Sequence, residues 1–125
     1  MAGATMSEAE SVEIVSRTYQ FGLRILKFCR HMYGAGGVEK PLVTQLLRAG
    51  TSVGAMVEEA QSAESRADFR HKLSVAAKES RETVYWLRLL RDGEVIDADR
   101  IEPLISEAIE VRNILRAIVK KLRVE

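Results

Sequence analysis

The sequence predicts an all-α protein, an up-down-up-down four-helix bundle, on three observations. Ala, Glu, Leu, Arg and Lys make up 59 of its 125 residues, a composition of packed helices rather than of a β-sandwich or an α/β nucleotide fold. Apolar residues recur at helical spacing in four separate segments. Glycine is absent from Ala55 to Asp92 and clusters instead at Gly34, Gly36 and Gly37, between the first two segments. A single domain with one core suits this length, since domains run about 100 to 150 residues.

Residues 1 to 10 are small and polar and offer no face to bury, so they are expected to be a flexible lead-in, with residues 11 to 125 forming the bundle. The first helix is expected from Ser11 to Met32, closed by Tyr33-Gly34-Ala35-Gly36-Gly37. The second begins near Pro41, whose fixed φ suits a first turn, and runs to about Gln61. The short link Ser62-Ala63-Glu64 makes the second and third helices antiparallel neighbours. Ser65 and Asp68 form a capping-box pattern that opens a third helix lasting to Arg91, and Asp92-Gly93 stops it. The fourth helix ends near Leu122; Asp97, Asp99 and Pro103 are competing start signals.

Two apolar lines run along the first helix. Val15, Tyr19, Gly22, Leu26, Cys29 and Tyr33 share one arc at heptad spacing and are expected to face the core. Ile14, Phe21, Ile25, Phe28 and Met32 lie roughly 100° away and widen the apolar surface beyond one stripe. Either neighbouring helices or another subunit covers that second line, and it is the expected oligomer interface. The third helix carries Phe69, Leu73, Ala76, Ser80, Thr83, Leu87 and Leu90, and the fourth Leu104, Ala108, Val111, Leu115, Ile118 and Leu122, both at core spacing. Gly50 and Gly54, one turn apart in the second helix, each cost about 1 kcal/mol relative to Ala, a cost that a close helix crossing offsets.

Most chemistry is excluded by what the spacing lacks. The only histidines, His31 and His71, both follow an Arg, so the Glu-x-x-His pairs of a di-iron bundle are missing. Glu58, Glu59, Glu79 and Glu82 are candidate carboxylates between the second and third helices, expected to pair with Arg or to face water. Trp86, beside Val75, Glu79 and Glu82, reads as packing rather than a ligand shelf. Cys29 is the sole cysteine and lies on an apolar arc, where a thiol behaves as a small hydrophobe. No phosphate loop, dinucleotide fingerprint or zinc spacing occurs. The expectation is a non-enzymatic protein with no cofactor and no metal. An acidic N-terminus without an apolar core, and no run of about 18 apolar residues, point to a cytoplasmic protein without a membrane partner.

The net charge is only +1, but the charges are unevenly placed. Residues 92 to 110 carry seven acids and one base, and residues 111 to 125 carry five bases and one acid. Arg112, Arg116, Lys120 and Arg123 fall within about 80° of arc on the fourth helix. Arg70, Lys78, Arg81 and Arg88 form a second basic arc on the third. Arg17, Arg24, Lys27 and His31 form one on the first. Recurring Lys and Arg in register suit phosphates, so RNA or DNA is the candidate partner. Aromatic platforms are absent from these arcs apart from Tyr85, so base-specific readout is not expected.

The stretch KPLVTQLLRAGTSVGAMVEEA from Lys40 to Ala60, followed by SRADFRHKLSVAAKESRETVYWLRLL from Ser65 to Leu90, resembles the bacterial four-helix-bundle family encoded in intervening sequences of large-subunit ribosomal RNA genes. A relative of that family is the accessory protein of diversity-generating retroelements. The likeness spans Arg17 to Arg123 and rests on the order L-R-x-x-x-S-V, then K-E-x-x-E-T, then Tyr-Trp-Leu. Met56 departs from it, standing where the family usually shows Asn. The resemblance implies an up-down bundle that often assembles into a ring, typically a pentamer. For the retroelement branch it implies a basic surface that binds nucleic acid and the reverse transcriptase. The expected function is therefore an oligomeric adaptor for nucleic acid or for a protein partner such as a reverse transcriptase. The alternative is a structural or protein-interaction module that binds no nucleic acid.

Overall fold

A computed structural model describes residues 6–35, 37 and 39–123. It contains α1 (Glu8–Ala35), α2 (Lys40–Ala60), α3 (Arg66–Asp92) and α4 (Ala98–Leu122). Each helix packs on its sequence neighbours, and α4 closes the ring against α1 more loosely than the other pairs meet. The expected four-helix bundle is the observed fold.

Local chemistry sets each end. α1 begins three residues earlier than expected, at Glu8, because Ser7 and Glu10 make a reciprocal capping box. The Ser7 N–H donates to Glu10 Oε1 at 2.9 Å, and the Glu10 N–H donates to Ser7 Oγ at 3.0 Å. The lead-in is thus shorter than residues 1 to 10, and its residues 1 to 5 lie outside the described residues. At the other end α1 runs through Gly34, and the expected glycine stop acts later, at Gly37 with φ of 111°; Gly36 lies outside the described residues. Ser65 caps α3 as expected, accepting from the Asp68 N–H at 3.0 Å.

α3 ends in a Schellman motif. The Val95 N–H donates to Leu90 O and the Glu94 N–H to Arg91 O, both at 3.0 Å. The left-handed residue is Glu94 (φ 58°) rather than Gly93, which sits one position too early. For the start of α4, the structure selects Asp97 as the cap position and places Pro103 inside the helix, in its second turn.

The core corrects the reading of α1. Ile14, Thr18, Phe21, Ile25, Cys29 and Met32 are the buried line, whereas Tyr19 is 63% exposed and Leu26 38%. Thr18 sits inside because its hydroxyl donates to Ile14 O at 2.8 Å, one turn back, leaving its methyl to pack. The two glycines of α2 fix this choice. A Cβ on Gly50 would lie 2.7 Å from Ile25 Cγ2, and one on Gly54 would lie 3.0 Å from Thr18 O. Only a helix bare at both points lets Ile25 and Thr18 come this close. The heptad-spaced line through Val15, Tyr19, Gly22 and Leu26 has no such receptor and turns outward.

The remaining stripes match expectation at nearly every position. Leu73, Ala76, Ser80, Thr83, Leu87 and Leu90 of α3, with Leu104, Ala108, Val111, Leu115 and Leu122 of α4, are buried, and Phe69 and Ile118 pack at the margin. The Ser80 hydroxyl donates to Ala77 O and the Thr83 hydroxyl to Glu79 O, so both polar side chains enter the core satisfied. Burial pushes the Cys29 thiol up to about 12, so it stays protonated and apolar in character. Met56 is half-buried against the core, where a thioether fills the space without needing a polar partner.

Candidate nucleic-acid interface

α4 presents two flanks of opposite charge. On the flank toward α1, Glu107 pairs with Arg24, Glu110 meets Arg17 at 3.3 Å, and Lys121 meets Glu10 at 3.3 Å. Arg100 approaches His31 Nε2 at 3.4 Å on the same seam. On the flank toward α3, Arg116, Lys120 and Arg123 line one wall of a groove of about 730 Å³. Lys78 and Arg81 of α3 line the other wall, and Ser74, Ala77, Asn113, Ala117 and Val119 complete it. Among the described residues no carboxylate lines this groove, and none of its five cations makes an ion pair.

Helix geometry accounts for the sorting. At about 100° per residue, Arg112, Arg116, Lys120 and Arg123 share the side of α4 that faces α3, while Glu107 and Glu110 lie on the opposite flank. Further along the α3/α4 contact, outside the groove's lining, stands Arg91. Its guanidinium donates to Glu102 at 2.8 Å across the two helices and to Asp92 at 2.8 Å. The hydrogen bond from Arg91 holds the Asp92 carboxyl below its ordinary range, and Arg91 itself is held more firmly protonated, by Asp92 first and then Glu102.

The structure brings together five of the ten cations expected to form the interface: Lys78, Arg81, Arg116, Lys120 and Arg123. Arg112 is half-buried beside them, with its guanidinium turned to Asn113 Oδ1 at 3.3 Å. Arg88 is exposed on the same face of α3, and its charge lowers the Asp92 carboxyl. Arg70 lies at a separate recess with Phe69 and Leu122. The α1 arc does not join the groove. Arg24 is occupied by Glu107, Lys27 is exposed on a helix that does not touch α3, and Arg17 and His31 face α4.

The expected oligomer interface needs correction. Ile14, Phe21, Ile25 and Met32 are enclosed within the protomer at 8% exposure or less, and Phe28 is half-buried. The apolar surface of α1 that stays open is Val12, Val15, Tyr19, Leu23 and Leu26. With Gly54 and Ala55 of α2, four of these line an apolar groove of about 380 Å³. A pattern reading missed it because both lines of α1 have heptad spacing, and Thr18 breaks the one that is truly inside.

The candidate carboxylates are occupied or apart. Arg48 of α2 bridges Glu79 (3.1 Å) and Glu82, and Lys72 meets Glu59 at 3.8 Å. Trp86 is half-buried, its indole N–H donating to Glu82 Oε2 at 2.9 Å. Among the described residues, no group of three His, Cys, Asp or Glu side chains is placed to hold a metal ion. None of their helices is long and apolar enough to cross a membrane.

Fold and groove together define a small all-α bundle protein with one polycationic flank. The model of the 23S rRNA-intervening sequence protein family matches residues 10–117, and the chain belongs to that family. Among solved structures it is similar to a protein of unknown function from the S23 ribosomal protein family of Bacteroides thetaiotaomicron VPI-5482. The two are 35% identical over 88% of this chain and 97% of that one, with a TM-score of 0.79. No curated protein matches it.

Proposed function

We propose that the protein is a non-enzymatic, cytoplasmic adaptor that seats the phosphate backbone of a nucleic acid in the α3/α4 groove. One observation carries the reading: Lys78, Arg81, Arg116, Lys120 and Arg123 converge on one concavity with no acid among the described residues to neutralise them. Like charges gathered this way oppose folding through mutual repulsion, and an anion crossing between the walls relieves it. Copies of the chain associate through the open α1 face, since Val12, Val15, Tyr19 and Leu26 repeat at the a and d spacing of a helix seam. Assembly by the α1/α2 side leaves the α3/α4 groove of every copy facing out, so several grooves act on one strand.

Fluorescence anisotropy with a labelled oligonucleotide, titrated with salt, tests the groove. Neutralising five phosphates gives a log–log slope of roughly −3.5 to −4.5, and Arg116→Glu with Lys120→Glu abolishes binding. No binding at low ionic strength, or binding indifferent to that double variant, refutes it. A pull-down that survives nuclease digestion would point to an acidic protein partner on the same surface. Light scattering reads the assembly: a mass near 14.0 kDa that Tyr19→Glu leaves unchanged counts against it.

A further inference from the structure

We infer that the groove takes single-stranded nucleic acid, with one unpaired base stacked on Tyr85; this rests on the groove being a phosphate site. Tyr85 lies four residues beyond Arg81 and seven beyond Lys78 on α3. These offsets place it within about 40° of both on the helix surface. It therefore continues the groove wall one turn past Arg81, about 6 Å further along the axis, with Arg88 the next cation on that face.

The ring is 53% exposed and stands against Trp86, with centroids 5.1 Å apart and planes at 72°. A near-perpendicular contact covers at most one face of the Tyr85 ring. Trp86 is held by its indole N–H on Glu82, and Glu82 is held by Arg48 of α2. Tyr85 is thus held by an edge-on contact with an anchored neighbour while just over half of it stays exposed, which keeps the entropy cost of stacking low.

The charge gradient supplies the direction. Beyond Tyr85, Arg88 is the last cation on this face of α3, and after it come the Arg91–Glu102 bridge and then Asp92, Glu94, Asp97 and Asp99, where acids outnumber bases and phosphate is repelled. At that end a base face is favoured over a backbone phosphate, while the strand leaves past Lys120 and Arg123. A duplex keeps its base faces stacked inside and gains nothing from an aromatic ring here. An unpaired strand gains a contact that is tolerant of sequence.

The test compares a labelled 12-nucleotide single strand, its blunt duplex and an abasic strand of equal length, on the full chain at low salt. The single strand binds tighter than the duplex and the abasic strand. Tyr85→Ala weakens it by about 5- to 150-fold, Tyr85→Phe preserves it, and duplex and abasic binding are unchanged by either. Trp86 fluorescence changes on single-strand binding in the native chain and not in Tyr85→Ala. Equal affinity for duplex and single strand, or indifference of the single strand to Tyr85→Ala, overturns the stacking inference. If all three ligands then still lose binding in Arg116→Glu, the phosphate groove survives that failure; if none binds the native chain, both readings fall.

Discussion

On its flank toward α1, α4 sets Glu107 and Glu110 against Arg24 and Arg17; on its flank toward α3, it sets Arg116, Lys120 and Arg123 beside Lys78 and Arg81. The first arrangement is matched and the second is like on like. Packing explains why the molecule tolerates both. α1 and α4 meet loosely, so that seam relies on its ion pairs. α3 and α4 are joined by close packing, by the Schellman turn and by the Arg91–Glu102 clamp. Those contacts absorb a repulsion of about 1 kcal/mol or less per cation pair. Charge in the seam serves the fold, and charge in the groove is unmatched among the described residues.

The largest effect that separates the two regions comes from reversing one charge in each. Glu107→Lys sets an ammonium against Arg24 at a site where the Glu107 side chain is only 14% exposed. It should cost about 2 kcal/mol, read as a lower urea midpoint with unchanged slope. Arg116→Glu places an acid among cations and should leave stability unchanged or slightly raised while nucleic-acid binding falls. Equal destabilisation by the two variants would make the groove cations structural and erase the distinction.

How much of this was legible depended on whether a residue's neighbours are local in sequence. α3 was readable nearly end to end, because the Ser65 cap, the small-residue stripe and the stop after Asp92 all act within a turn or two, although the left-handed residue there is Glu94 and not Gly93. The 80° basic arc of α4 was readable for the same reason. Which neighbour that arc faces is set by the handedness of the bundle, which no single helix encodes, so the pairing of the α1 arc with Glu107 and Glu110 stayed hidden. The inward line of α1 was hidden for another reason. Gly50 and Gly54 select it from a different helix, and Thr18 conceals its polarity in a backbone bond. The Ser7–Glu10 box was legible in principle, since S-x-x-E was present at the start of an apolar pattern.

A middle-sized effect sharpens the contrast by changing stability without changing charge in the groove. Glu94 is a non-glycine residue at φ 58°, which costs about 1 kcal/mol. Glu94→Gly should therefore raise stability by about that amount, measured by chemical denaturation, with nucleic-acid affinity unmoved. Gly93→Ala should act in the opposite sense, because its Cβ would lie 2.9 Å from Leu89 O. Affinity that rose and fell with these two variants would show that binding follows the rigidity of the α3/α4 turn rather than the cations.

The smallest effect lies at the outer end of the seam, where Glu10 joins the α1 cap to α4. The Ser7 backbone N–H and then the Lys121 ammonium hold the Glu10 carboxyl below its ordinary value. A lowered folded pKa means the unfolded chain binds the proton more readily. The stabilisation is then present above the unfolded pKa and is lost as pH falls through the folded one. In the native chain, amide exchange in the first turn of α1 should accelerate as pH drops below about 4.5, beyond the intrinsic pH dependence of exchange. In Glu10→Gln that acid-triggered increase should be absent. A profile identical in the two proteins would mean that the cap holds through its backbone alone, and that the α1/α4 seam owes its closure to Arg17 and Arg24 without help from this end.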